Sequence, residues 1–227
     1  MKFNLKKFKI LIKKISNKIL IRKSSSQLFN SRDYWEKRYL SNNNSGAGSY
    51  GRLAEFKAEV LNDFVKINNI QSIIEFGCGD GNQLSLANYP NYIGVDVSKT
   101  AIKICRQKFK EDSCKKFHHS NEFKKTNKKA ELVLSLDVIF HLIEEDVFEN
   151  YMKDVFSAAT KYVIIYASNY EDHFAPHVKC RKFTNWMDRN VKDNWKIKEI
   201  IPNKYPFDKE NPDTTSMSDF YIIEHTI

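Results

Sequence analysis

The chain has 227 residues, 41% of them hydrophobic with 16 Phe and 11 Tyr, which gives one domain of ordinary size a substantial core and excludes general disorder. No apolar run reaches the ~18–20 residues that cross a bilayer, and four cysteines without paired short spacing, after no cleavable secretory segment, read as reduced thiols in a cytosolic compartment. The formal charge is +9, but residues 1–23 hold nine Lys/Arg and no acid, so the remainder balances at 28 against 28, which argues against a nucleic-acid groove spread over the body.

At about 100° per residue, Met1, Leu5, Phe8, Leu11, Ile12, Ile15 and Ile19 share one helical face with most lysines opposite, which predicts a basic amphipathic helix over 1–23. Three uses of that helix stay open. It can lie in an anionic membrane surface, making the chain a peripheral protein on the inner face of a membrane. It can dock on the body or a partner, or bind RNA without sequence preference. Residues 24–33, opening Ser24-Ser25-Ser26-Gln27, read as a linker, and 34–227 as the domain.

Early in the domain, Trp35, then Tyr50, Arg52 and Lys57 after an Asn/Gly/Ser loop at 42–49, are suited to folding over a ligand. The aromatic rings offer faces for a cation or an adenine, and Arg52 suits a carboxylate. All seven glycines lie between Gly46 and Gly94. Three form Gly77-Cys78-Gly79-Asp80-Gly81, directly after the apolar strand 72–76 and before a helix expected to begin over 82–88. A strand, a glycine turn and a helix make a nucleotide-binding corner. The next strand, 92–96, ends in Asp96, nineteen residues after Gly77, where an acid can accept both ribose hydroxyls of a nucleoside. The spacing is G-x-G-x-G rather than the dinucleotide G-x-G-x-x-G, and Glu75 beside it suits a cationic ligand, an ammonium or a sulfonium.

Further along, 99–109 has helical spacing, 116–119 reads as a short third strand and 131–136 as a fourth, followed by Asp137. A helix is expected over 145–159 and a fifth strand over 161–166. Two late β-like runs, 195–201 and 220–225, flank a proline-containing segment, 202–217, which reads as a lid over an acceptor.

Glu75-Phe76-Gly77-Cys78-Gly79-Asp80-Gly81, with strand, loop, helix, strand and acid in this order, resembles the first motif of the class I S-adenosylmethionine-dependent methyltransferases. The resemblance covers roughly Tyr34 to the C-terminus. It implies an α/β, Rossmann-like seven-stranded sheet with helices on both faces and an antiparallel terminal strand pair, and S-adenosylmethionine as cofactor. It places Gly77, Cys78, Gly79, Asp80 and Gly81 under the methionine part and Asp96 on the ribose, with Val97, Leu136 and Asp137 adjoining. Tyr34-Trp35-Glu36-Lys37-Arg38-Tyr39, the run 45–53 and Phe56-Lys57-Ala58 are similar to a bacterial subgroup of small methyltransferases associated with polysaccharide or lipopolysaccharide assembly. That association implies a sugar or glycan-precursor acceptor.

For a hydroxyl acceptor the protein must align the reactants and remove a proton, and neutral imidazole suits that task near pH 7. His141, four residues after Asp137 behind the fourth strand, is the expected general base, with Asp137 orienting it or meeting the donor amine. After the fifth strand, His177 and Arg181 are expected to face the acceptor. His173, His177 and Cys180 have zinc-like spacing, but no second Cys pair supports a closed site, so no metal is expected. Three rivals remain. An NAD-dependent oxidoreductase lacks its glycine spacing here. A base N-methyltransferase lacks its Pro-Pro turn at Ser135-Leu136-Asp137-Val138, which leaves ribose methylation open. The third is a non-catalytic S-adenosylmethionine-binding module.

Overall fold

A computed structural model describes residues 29–226; the expected amphipathic helix over 1–23 and most of the expected linker lie outside the described residues. Helix α1 (Ser31–Leu40) begins earlier than the expected domain boundary. Asn30 is extended and its side chain accepts a hydrogen bond from the Asp33 amide at 2.8 Å, an N-cap that makes 30–33 part of the domain rather than linker. Helix α2 (Gly51–Ile67) buries Leu53, Phe56, Leu61, Phe64 and Val65 along one face.

Strand β1 (Ile73–Phe76) is buried at every position. It is followed by β2 (Tyr92–Asp96), helix α3 (Lys99–Lys108), β3 (Lys115–His119), the one-turn helix α4 (Ser120–Phe123), β4 (Ala130–Leu136), helix α5 (Glu145–Ala158) and β5 (Ala159–Ala167). A small antiparallel hairpin, β6 (Asp172–Ala175) and β7 (Val178–Cys180), stands apart from the main sheet. Helix α6 (Thr184–Asn190), β8 (Trp195–Ile201) and β9 (Asp219–His225) complete the chain. The seven-stranded order is β3-β2-β1-β4-β5-β9-β8. The first five strands are parallel, and β9 runs antiparallel to both β5 and β8.

Both sheet faces are covered, so adjacent residues of the inner strands are apolar together. Ile74 and Val133 enter one core with Met152, Val155 and Trp186, while Ile73 and Leu132 enter the other with Leu61, Leu84 and Phe220. Strand order reverses between β1 and β4, and the crevice outside their C-terminal ends is where an open α/β sheet binds ligands.

The helix expected over 82–88 is only a 3₁₀ turn, Gln83–Leu86. The glycine bend uses the first five residues of the crossover, and Pro90 disfavours helical backbone at Tyr89, leaving room for one turn. The β6–β7 hairpin was not among the expected elements. Among the described residues no helix is long and apolar enough to cross a membrane.

Candidate active site

Gly77, Gly79 and Gly81 all take positive φ, at 83°, 55° and 71°, a backbone that L side chains resist. The bend folds back so that the Gly77 and Cys78 amides donate to the Val95 carbonyl at 2.7 and 3.2 Å, and the Gly79 amide donates to Asp96 Oδ2 at 3.0 Å. A Cβ on Gly79 would collide with Ser45 Oγ, and one on Gly77 with Val138. Cys78 turns inward: its Sγ lies 2.9 Å from where a Cβ on Gly94 would stand.

At the end of β2, Asp96 Oδ1 accepts from the Ser98 amide at 2.8 Å. Burial pushes this carboxyl up to about 6, against the pull of the Ser98, Gly79 and Val97 amides. Each oxygen holds one amide and keeps acceptor capacity, enough for a pair of ribose hydroxyls. Beside it, the Val97 carbonyl is 3.1 Å from His119 Nε2. A bend bare of side chains at three of its five positions, next to a carboxylate held by two amides, fits an adenosyl donor.

Asp80 fastens a cover over the bend. Its Oδ2 accepts from the Ser45 amide and the Tyr50 hydroxyl, both at 2.9 Å, and its Oδ1 from the Asn82 amide at 3.0 Å. Ser45 Oγ accepts from the Asp80 amide at 3.0 Å and lies 3.0 Å from the Tyr39 hydroxyl. Helix α1 is tied to the start of α3 through Glu36, which accepts from the Ser98 and Thr100 hydroxyls at 2.6 and 2.8 Å.

Several expected roles change. Glu75, read as facing a cationic ligand, is engaged inside the core: the Tyr92 hydroxyl donates to its Oε2 at 2.6 Å. Burial pushes its carboxyl up to about 7, opposed by Tyr92 and the Lys57 charge. Arg52, read as suited to a ligand carboxylate, is engaged by the 202–217 segment. Its Nε donates to the Thr214 carbonyl at 2.6 Å and its guanidinium lies 4.3 Å from the Tyr205 ring centroid, which fastens the 202–217 segment to α2. Arg181, expected to face an acceptor, is engaged within the fold. Only 4% exposed, it donates to the Leu142 and Ile143 carbonyls, pairs with Glu145 at 3.2 Å and covers the Phe148 ring.

Asp137 does not orient His141. It follows buried Leu136 at the end of β4 with a φ of 57°, and its amide donates to the Tyr166 carbonyl at 2.9 Å. Its Oδ2 is 2.8 Å from Lys57 Nζ, a lysine 1% exposed, and its Oδ1 accepts from the Ser218 hydroxyl at 2.9 Å. A Cβ on Gly48 would stand 2.7 Å from the same Oδ2, so the loop over the glycine bend also reaches Asp137.

His141 is oriented by the hairpin instead. Its Nδ1 lies 2.9 Å from the His177 carbonyl oxygen. A carbonyl only accepts, so Nδ1 carries the proton and Nε2 keeps its lone pair. Burial pushes the imidazole down to about 4, against the His177 hydrogen bond. Trp35 meets its ring edge-on at 4.9 Å, the His177 ring lies parallel at 6.0 Å, and Tyr34 stacks on His177 at 5.0 Å. So Trp35, His141 and His177 do converge, from α1, the turn after β4 and the hairpin tip. Sequence reading missed Ser45, Glu36 and Ser218. Ser45 stood within the glycine-rich loop, but Ser218 carried no local signal. Among the described residues no three His, Cys, Asp or Glu side chains are grouped to hold a metal ion.

Residues 73–161 match a methyltransferase domain family. The chain is 30% identical over 87 residues to the eEF1A lysine and N-terminal methyltransferase of Mus musculus, a stretch covering 37% of this chain and 12% of the mouse protein. Among solved structures it is similar to the N-methyltransferase NodS of Bradyrhizobium japonicum WM9 in complex with S-adenosyl-L-homocysteine, with a TM-score of 0.65 at 13% identity, covering 87% of this chain and 98% of that one. The small RNA methyltransferase HEN1 gives a TM-score of 0.58 at 19% identity, covering 79% of this chain and 26% of that one. The methyltransferase-domain match over residues 73–161, with the glycine bend and Asp96 at a switch point of this sheet, supports an S-adenosylmethionine-dependent methyltransferase.

Proposed function

We propose that the chain methylates a sugar hydroxyl, in a glycan precursor of the kind used in polysaccharide or lipopolysaccharide assembly, with His141 as general base. The observation that carries this reading is the His141 tautomer: Nδ1 held by the His177 carbonyl leaves a neutral ring with a basic Nε2. When bound, S-adenosylmethionine would supply an electrophilic methyl on a sulfonium whose leaving group is a neutral thioether. The acceptor oxygen takes the methyl as His141 Nε2 takes its proton. A good leaving group lets a weakly basic imidazole suffice. Asp96 holds the ribose side, and the covering loop at 44–50 excludes water. The rings of Trp35 and His177, and a second exposed cluster of Tyr170 before the hairpin, Phe174 on it and Phe207 in the 202–217 segment, give flat apolar faces on which the C–H side of a sugar can lie.

A second reading, the ribose hydroxyl of RNA, needs the same base. HEN1 acts on small RNA, and its presence among the neighbours leaves the expectation of no nucleic-acid partner without support. Labelled donor incubated with glycan, RNA and protein fractions separates these acceptors. His141→Ala is expected to hold S-adenosylhomocysteine affinity within about twofold and lower turnover by about 10²–10⁴. Because a base must be unprotonated and burial holds this one down to about 4, the wild-type turnover should fall on the acid side near pH 4–5, not near 6.5. Unchanged turnover in the variant removes His141 from the reaction.

A further inference from the structure

The balanced charge of the body conceals a strong asymmetry. Residues 103–129 contain ten Lys/Arg against three Asp/Glu, a net +7, so the rest of the chain after residue 23 is net −7. This segment runs from Lys103 in α3 through β3 and α4 to the loop before β4. Among the described residues, strand β3 pairs only with β2 and forms an edge of the sheet. Beside it lies an open cavity of about 390 Å³, lined by Arg106, Lys110, Lys115, Lys116 and His118 around Phe109, with Asp112, which pairs with Lys115, as the one acid.

Arg106, Lys110, Lys115 and Lys124 pair with acidic side chains. Among the described residues, Lys116, Lys125, Lys128 and Lys129 are exposed and have no acidic partner within ion-pair distance. Their charges are also felt together: His118 is held below its ordinary value first by burial, then by Lys128, Arg106 and Lys116, with Glu122 opposing. Lysines on an edge strand commonly serve to block strand pairing. That role needs only the strand, whereas these cations extend onto the 124–129 loop and onto α3 and the turn after it, where Arg106 and Lys110 help line the concavity.

We infer that the β3 edge is a binding surface for the phosphate backbone of a nucleic acid. A membrane-docking face would combine its cations with several apolar side chains that insert, but within 103–129 Ile104 alone is an exposed large hydrophobic, at 37%. A single small anion would use the cavity and leave the lysines of the 124–129 loop idle. A chain of phosphates engages both, releasing counterions as it does so. The inference goes beyond the proposed reaction and is independent of His141: the surface lies at the sheet edge, three strands from β4, and stands whether the methylated hydroxyl belongs to a glycan or to ribose.

The test uses the full chain, so that the cations of residues 1–23 are present in every arm. Fluorescence anisotropy with a labelled 20-nucleotide single-stranded RNA compares the wild type with Lys116→Glu/Lys125→Glu/Lys128→Glu/Lys129→Glu. The control reverses four exposed lysines elsewhere, Lys153→Glu/Lys192→Glu/Lys196→Glu/Lys209→Glu. The edge variant should lose roughly a hundredfold in affinity near 0.1 M salt, with its slope against log salt falling by about 3, at about 0.7 per lost contact. The control should lose far less, and both should keep the wild-type melting temperature. Equal losses in the two variants, or no binding by the wild type, overturn the assignment. So does edge-dependent binding to phosphatidylserine vesicles without edge-dependent binding to RNA.

Discussion

The donor side and the acceptor side of the crevice are built on different scales of sequence. On the donor side, the residues from Gly77 to Asp96 contain the bend, the strand and the carboxylate, and most of the contacts are backbone amides closing on nearby groups. On the acceptor side, Asp137 is held by Lys57, 80 residues before it, and by Ser218, 81 residues after it, while His141 depends on a carbonyl 36 residues away. The first is a local conformation that a short segment can specify alone. The second exists only after the sheet has brought α2, β4, the hairpin and β9 together.

The sharpest way to break this contrast is at Lys57, because it joins the two sides. It is nearly fully buried, pairs with Asp137 at 2.8 Å and lies 5.2 Å from the Tyr166 ring centroid. Removing one member of a buried pair strands the other charge, at a cost of about 3–5 kcal/mol. Asp137 is 17% exposed, so some water reaches it, and Lys57→Met should destabilise the chain by about 3 kcal/mol in urea unfolding. A loss below about 1 kcal/mol would mean that the acceptor side tolerates an unpaired Asp137 and that distant anchoring matters less than argued.

Gly79→Ala attacks the donor side alone. At a φ of 55°, a methyl group there is strained and meets Ser45 Oγ and, at 2.9 Å, the Tyr39 hydroxyl. The Gly79 amide that fixes Asp96 shifts with it. S-adenosylhomocysteine affinity, read by calorimetry, should drop roughly a hundredfold, about 2.7 kcal/mol, with Lys57–Asp137 undisturbed. Donor affinity kept within about threefold would show that the bend is not the cradle.

The same division explains what could be read from residues alone. Glycine spacing reports backbone shape directly, so the bend, β1, β2 and Asp96 were legible, as were the apolar runs of β4, β5, β8 and β9. Side-chain partners across the fold were not. Asp137 and His141 are four apart, which suggested mutual contact, yet a left-handed φ at Asp137 and a 3₁₀ turn at 139–141 send the two side chains to different neighbours. Arg52 and Arg181 look like ligand-binding residues by type, but each finds free carbonyls of irregular backbone, at Thr214 and at Leu142 and Ile143. Those carbonyls belong to segments that have no ladder to satisfy them, and sequence carries no mark of that need. The basic β3 edge was hidden for a different reason: averaging charge over the body cancels a patch of +7 against its complement.

Tyr50 stands at the seam and carries the smallest expected effect. Its hydroxyl donates to Asp80 Oδ2 at 2.9 Å, and burial, then Asp80, pushes the phenol up to about 12, so it stays a donor at any working pH. Tyr50→Phe keeps the ring and removes one bond, while the Ser45 amide still holds the same oxygen. A single bond to a charged acceptor of this kind, half-exposed, contributes about 1 kcal/mol, which is about a fivefold weakening of donor affinity. Because the loop it fastens also approaches Asp137 through Gly48, the two sides separate in the readout. If the loop serves only the donor, S-adenosylmethionine KM rises and turnover at saturation holds. If it also shapes the methyl-transfer position, turnover falls in step, and the boundary between donor and acceptor sides moves to include residues 44–50.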